Sequence, residues 1–165
     1  MNNIVIFGCD NSGKSTLGKN LLYYLKEKGK DCSLIHSPGN TTKEVMENFM
    51  RISLVDKDKT PNKVSIFDRF PIIEESVYGE ILRDGSKFKD KEDIDRILKK
   101  IDLFIYCFPG ANMILNWGIR EQYPGVKENA NKLIEAYENI AKDFKEKGYP
   151  IKTYNYISDD FRSLL

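Results

Sequence analysis

Residues 8–15 read Gly8-Cys9-Asp10-Asn11-Ser12-Gly13-Lys14-Ser15 and decide the fold, because they match GxxxxGK[ST] between a strand-like and a helix-like segment. Ile4–Phe7 is a short apolar, β-branched run that stops at Gly8. After the loop, Leu17, Leu21, Leu22 and Leu25 recur on one helical face before Gly29. Such a strand, glycine-rich turn and helix lets successive backbone N–H groups turn inward as an anion nest, and the positive end of the helix adds to their attraction for phosphate. Gly8, Asn11, Ser12, Gly13, Lys14, Ser15 and Thr16 are therefore the expected phosphate-binding residues. Lys14 is expected to reach the β and γ oxygens of a nucleoside triphosphate. The hydroxyl of Ser15 suits magnesium, a hard ion that prefers oxygen ligands and bridges the phosphates.

Outward from this loop, short β-like runs alternate with amphipathic helices, which predicts parallel βαβ units. Cys32–His36, Val64–Phe67, Leu103–Phe108 and Ile151–Ile157 are the further predicted strands. The spacing of Thr41 and Glu44 predicts a capping box before a helix with Val45, Met46, Phe49 and Ile52. Pro71 suits a first helical turn, followed by a stripe of Ile73, Val77 and Ile81. Ile94, Ile97, Leu98 and Ile101 predict a short helix, and Val126, Ala130, Leu133, Ile134, Tyr137, Ile140, Ala141 and Phe144 a long one ending at Gly148. Pro109–Gly125 has no clean period and is a candidate lid, extending over about 109–126.

The 165 residues suit one domain, 1–165, with 41% apolar and 31% charged residues and a net charge of +1. That balance gives no field to hold a polyanion, so stable nucleic-acid binding is not expected and a small phosphate ligand is. No run approaches the ~18 apolar residues of a membrane span, and the start shows no leader pattern, so a cytoplasmic protein without membrane attachment is expected. A homodimer stays open. Cys9, Cys32 and Cys107 lack CxxC spacing and lie in or beside apolar runs, as reduced buried thiols do.

Asp68 ends a buried strand and Arg69 follows it, placing a carboxylate and a guanidinium at the sheet edge where α/β proteins bind ligands. The alternative is an inert surface ion pair. Asp68 is the second candidate magnesium residue, beside Ser15.

GCDNSGKST, SPGNT and DRFPIIEESVYG resemble the phosphate loop, the turn after the second strand and the DR-containing segment of thymidylate kinases and their phage deoxynucleotide kinase relatives. Counting REQYPGV, the resemblance covers about half the chain. It implies an α/β, three-layer P-loop NTPase fold: a five-stranded parallel sheet flanked by helices, with a short lid. The implied activity is ATP- and Mg2+-dependent phosphorylation of a deoxynucleoside monophosphate, dTMP first, with small nucleotides as the partners. By the same resemblance, Asp10 binds the sugar 3′-hydroxyl of the acceptor, Arg69 forks its phosphate, Tyr78 crowds the 2′ position, and Pro38 belongs to the acceptor-side turn. Phe49 stacks on the acceptor base, or packs in the core instead, and Arg51 hydrogen-bonds the base. These two stand two residues apart where the family spaces them four apart, and Tyr78 stands one residue late when counted from Arg69, so an extra helical residue or a shifted helix start is needed there.

Nucleoside kinases of similar fold carry a glutamate base after the second strand, where this chain has Ser37 behind His36, a strand-end packing residue. A monophosphate, ionised with a second pKa near ~6, needs no base. Rival readings are a deoxynucleoside or polynucleotide 5′-hydroxyl kinase, with Asp68 as base, and a nucleotide-dependent switch protein, which would lack a second substrate pocket. The loop residues Asp10, Asn11 and Ser12 include no arginine, so charge on the transferring group must be met from the lid. Arg120, between Gly118 and Gly125, is the candidate finger, or else a surface arginine paired with Glu121.

Overall fold

A computed structural model describes residues 1–108, 125–126 and 128–165. Five parallel strands, β1 (Asn3–Phe7), β2 (Asp31–His36), β3 (Lys63–Asp68), β4 (Leu103–Cys107) and β5 (Ile151–Tyr154), form one sheet in the order β2-β3-β1-β4-β5. The helices are α1 (Lys14–Glu27), α2 (Lys43–Ser53), α3 (Pro71–Glu74), α4 (Glu80–Leu82), α5 (Lys91–Leu98) and α6 (Ala130–Glu146), and a 3₁₀ turn spans Phe161–Leu164. A π turn, Glu75–Gly79, joins α3 to α4 without a break.

The three layers follow from the two-residue period of the strands. On one face Val5, Phe7, Phe67, Phe104 and Tyr106 join Met46 and Met50 of α2, Ile72, Ile73 and Val77, Leu98 of α5, and Leu133, Tyr137 and Phe144 of α6. On the other, Ile4, Ile6, Ile66 and Ile105 pack against Leu17 and Leu21 of α1 and against Leu164. Because β1 sits at the centre, chain connections leave it toward β2 and β3 on one side and β4 and β5 on the other. Its carboxyl end therefore opens into the crevice where ligands of such sheets bind.

Several boundaries differ from the sequence reading. The cap of α2 is Thr42, whose Oγ1 accepts from the Val45 N–H at 3.3 Å, and not Thr41. The buried face of α2 is Met46 and Met50 with Phe49 half-buried, while Val45 and Ile52 are 48% and 69% exposed. Both stripes obey helical spacing and share Met46 and Phe49, so periodicity could not choose between them. The fourth strand ends at Cys107 and the fifth at Tyr154, leaving Phe108, Tyr156 and Ile157 exposed.

Beyond the predicted core, Asn2 and Asn3 are buried and tie down the amino edge of β1. The Asn3 side chain donates to the Val55 and Lys100 carbonyls, both at 3.0 Å, and accepts from the Val55 N–H at 2.8 Å. The Asp102 carboxylate accepts the Asn2 and Asn3 N–H groups at 2.7 and 3.0 Å.

All three cysteines are free and buried. Burial pushes the Cys9 thiol from 9.0 up to about 11, against the lowering effect of Lys14, and the Cys107 thiol up to about 12. An unfolded chain ionises these thiols first, so the unfolded state binds fewer protons above pH 9 and stability falls as pH rises from there. Urea unfolding at pH 8 and pH 10.5 should show this loss, and Cys107→Ala should reduce the difference between the two pH values.

Candidate functional site

The phosphate loop has the backbone its sequence implies. Gly8 and Gly13 have φ of 143° and 82°, and Asn11 takes φ 61°. A Cβ on Gly8 would stand 2.6 Å from the Cys107 carbonyl oxygen, so glycine there also permits the end of β4 to approach the loop. Lys14 is buried, and its ammonium donates to the Cys9 carbonyl at 2.5 Å and to Ser12 Oγ at 3.5 Å, spanning the loop. Burial first and the charge of Arg69 second lower the Lys14 pKa, which makes the pair of cations a favourable seat for an anion. Thr16 is exposed on the first turn of α1.

At the end of β3, pairing with β1 brings Asp68 opposite Ile6 and so beside the loop. Ser15 Oγ donates to Asp68 Oδ2 at 2.7 Å, and His36 Nδ1 lies 3.2 Å from the same oxygen, with the His36 side chain exposed and not packed as expected at the strand end. Asp68 Oδ1 is buried and has no partner among the described residues. A hydroxyl and a carboxylate with an unmatched oxygen are the hard donors magnesium takes. Among the described residues no three His, Cys, Asp or Glu gather into a metal site.

Arg69 has φ 71°, an uncommon left-handed conformation for a non-glycine residue, fixed by its N–H donating to the Ile6 carbonyl at 2.9 Å. The turn brings its guanidinium among Asp10, Glu74 and Tyr78. One arm pairs with Asp10, and the other donates to Glu74 Oε2 at 2.6 Å and to the Tyr78 hydroxyl at 3.3 Å. Glu74 also accepts from the Tyr137 hydroxyl at 2.9 Å, linking the site to α6. Burial lowers the Arg69 pKa, but Glu74, with Tyr137, Tyr78 and Asp10 after it, outweighs burial and holds the guanidinium charged.

Tyr78 lies inside the π turn, which contributes the extra helical residue that its offset from Arg69 requires. Its hydroxyl donates to Asp10 Oδ1 at 3.4 Å and its ring lies under the Arg69 guanidinium, 5.7 Å from centroid to carbon. Loop, strand end and π turn thus converge on one point.

Beside that point opens a cleft of about 320 Å³. Asp10, Arg69, Glu74 and Tyr78 line one part of it, and Glu75, Leu82, Arg83, Ser37, Gly39 and Asn40 the rest. Pro38 is half-buried between two of these residues. Phe49 and Arg51 do not line the cleft. Phe49 stands edge-to-face on Phe67 at 6.1 Å within the core, and Arg51 is exposed and donates to Asn48 at 2.7 Å. Arg120 and most of the candidate lid lie outside the described residues.

Sequence reasoning missed Glu74, Glu75, Asn40 and Arg83. A signal existed for Glu74 and Leu82, which bracket Tyr78 at intervals of four, the spacing of one helical face. None existed for Asn40, which reaches the cleft through the turn after β2.

The sheet order, the flanking helices and the phosphate loop define a three-layer P-loop fold, which a solved thymidylate kinase, of the family whose motifs the sequence resembles, also has. No protein-family model matches the chain. Solved structures with this fold include the YorR protein from Bacillus subtilis in complex with phosphorylated GDP, at TM-score 0.70 and 17% identity over 98% of this chain and 90% of that one. Thymidylate kinase from Ehrlichia chaffeensis matches at TM-score 0.53 and 20% identity over 99% and 93% of the two chains. Deoxyadenosine kinase from M. mycoides with bound dATP matches at 0.54 and 17%, over 98% and 94%. Among the described residues no helix is long and apolar enough to cross a membrane.

Proposed function

We propose that the protein transfers the γ-phosphoryl group of ATP to a deoxynucleoside monophosphate, with dTMP as the first candidate acceptor. The observation that carries this reading is the state of the carboxylates lining the cleft. Asp10 and Glu74 are both paired with Arg69, and Glu75 with Arg83 and Lys87. Any of these carboxylates would take a proton from a hydroxyl acceptor at the expense of its ion pair, and Asp68, the other candidate base, does not line the cleft and bonds Ser15. A monophosphate instead supplies an oxygen already ionised and needs no base. In the transfer, an acceptor phosphate oxygen bonds to the γ-phosphorus as its bond to the β–γ bridging oxygen breaks, leaving ADP and the acceptor diphosphate with no proton removed.

In this chemistry the loop N–H groups and Lys14 hold the donor phosphates, and Arg69 holds the acceptor phosphate in line, so positioning and charge do most of the catalysis. Mg2+, when bound by Ser15 and the Asp68 carboxylate together with phosphate oxygens, would neutralise charge on the triphosphate. Asp10 and Tyr78 would contact the sugar, and Arg120 is the sequence-based candidate for the finger. The fold shared with a thymidylate kinase, a deoxyadenosine kinase and YorR with its phosphorylated GDP supports a nucleotide or nucleoside acceptor in general.

Two nucleotide sites imply additive stabilisation. At a hundred times Kd each ligand should stabilise by about 2.7 kcal/mol, or roughly 5–10 °C in Tm for a chain of this size. Thermal melts with Mg-ADP, a deoxynucleoside monophosphate, and both together should give two shifts that sum. A shift from Mg-ADP alone would instead fit a switch protein, and mutual exclusion would reject two sites.

A further inference from the structure

The cleft holds a second arginine, away from the phosphate loop. Arg83, its side chain 23% exposed, donates to Glu75 Oε1 at 2.7 Å and to Asn40 Oδ1, and all three residues line the cleft. Glu75 is 1% exposed, and both its oxygens are matched: Oε1 by Arg83 and the Lys87 ammonium at 3.5 Å, and Oε2 by the Lys87 N–H at 3.1 Å. The Asn40 Oδ1 accepts from Lys87 Nζ as well, at 2.7 Å. Two cations against one carboxylate leave the cluster net positive. Its acceptor atoms are taken, which turns the Asn40 amide N–H groups and the remaining Arg83 N–H groups toward other partners.

Resting on the acceptor reading of this cleft, we infer that Arg83, braced by Glu75 and Asn40, selects acceptors whose base carries a carbonyl oxygen at purine position 6 or pyrimidine position 4, guanine or thymine, over adenine and cytosine, which carry an amine there. The acceptor phosphate must lie at Arg69, next to the loop, so the base has to project along the cleft past Tyr78 and Leu82. Glu74 holds Arg69 and the adjacent Glu75 holds Arg83, and both arginines line the one cleft, so a base extending from a phosphate at Arg69 meets Arg83 at the other end of it. A fork of N–H donors there meets guanine O6 and N7, or thymine O4, as hydrogen-bond acceptors. The exocyclic amine of adenine or cytosine would bring donor against donor and leave both unmatched. Because Arg83 is held on both sides, little side-chain freedom is lost when it binds.

The test is equilibrium binding of dGMP, dTMP, dAMP and dCMP by calorimetry without a phosphoryl donor, together with steady-state kcat/KM for the same four. Wild type is expected to favour dGMP and dTMP by about tenfold to a hundredfold in Kd, within the range for one good base contact. Arg83→Gln should remove most of that preference by weakening dGMP and dTMP while leaving dAMP and dCMP within about threefold. Arg83→Lys, which keeps charge beside Glu75 but loses the fork, should retain the fold and fall between the two. Equal binding of all four bases by wild type, preference for adenine or cytosine, or a uniform loss in both variants would overturn the inference. Selective binding without phosphoryl transfer would remove the proposed reaction and keep the base reading.

Discussion

Lys14→Met is expected to lower kcat by about 10²–10³-fold at saturating Mg-ATP and acceptor, the loss associated with removing one preorganised charge-stabilising group. The ammonium sits inside the phosphate loop on the Cys9 carbonyl and Ser12 hydroxyl, where donor oxygens would replace those contacts. Since burial already disfavours the charged form, replacing it by an uncharged side chain of similar length should leave stability within about 1 kcal/mol. Loss of rate with an unchanged melting temperature is the expected pair of results. Undiminished turnover would remove Lys14 from the donor site.

Arg69→Ala should raise the acceptor KM by roughly tenfold to a hundredfold, which corresponds to ~1.5–3 kcal/mol for a charge-assisted contact to phosphate. The KM for ATP should move far less, because in this structure Arg69 faces Asp10, Glu74 and Tyr78, not the loop interior. The substitution also leaves two half-buried carboxylates without their common cation, so a lower melting temperature accompanies it. Arg69→Lys separates the effects. A lysine keeps the charge between Asp10 and Glu74 but cannot fork a phosphate, so stability should recover while the acceptor KM stays raised. Recovery of both would make Arg69 a structural ion pair only.

What the sequence made legible was contiguous or periodic. The phosphate loop is read from eight adjacent residues whose chemistry depends on their own backbone, and the alternating strands disclosed a parallel sheet because two-sided burial leaves unbroken apolar runs such as Leu103–Cys107. Asp68 and Arg69 were legible because they end such a run. The misplaced or missing parts depend on tertiary placement. Thr41 and Thr42 offer the same cap one residue apart, and only the burial of Met46 and Met50 selects the second. Phe49 fits helix and ligand alike until Phe67 is seen beside it. Asn40 and Arg83 lie 43 positions apart and hydrogen-bond directly, a contact no local pattern encodes. Tyr78 lies between these cases: its offset demanded an extra residue, and the π turn is where the helix absorbs it.

The proposed acceptor is a monophosphate. Incubation with Mg-ATP labelled in the γ position and, in parallel, thymidine, deoxyguanosine, dTMP and dGMP, followed by separation of products, tests it most directly. Label is expected in deoxynucleoside diphosphate and none in a monophosphate, because Asp10, Glu74 and Glu75 are all paired with cations and Asp68 lies outside the cleft lining, bonded to Ser15. Label appearing in thymidine monophosphate or deoxyguanosine monophosphate, with no diphosphate formed from either monophosphate, would contradict it.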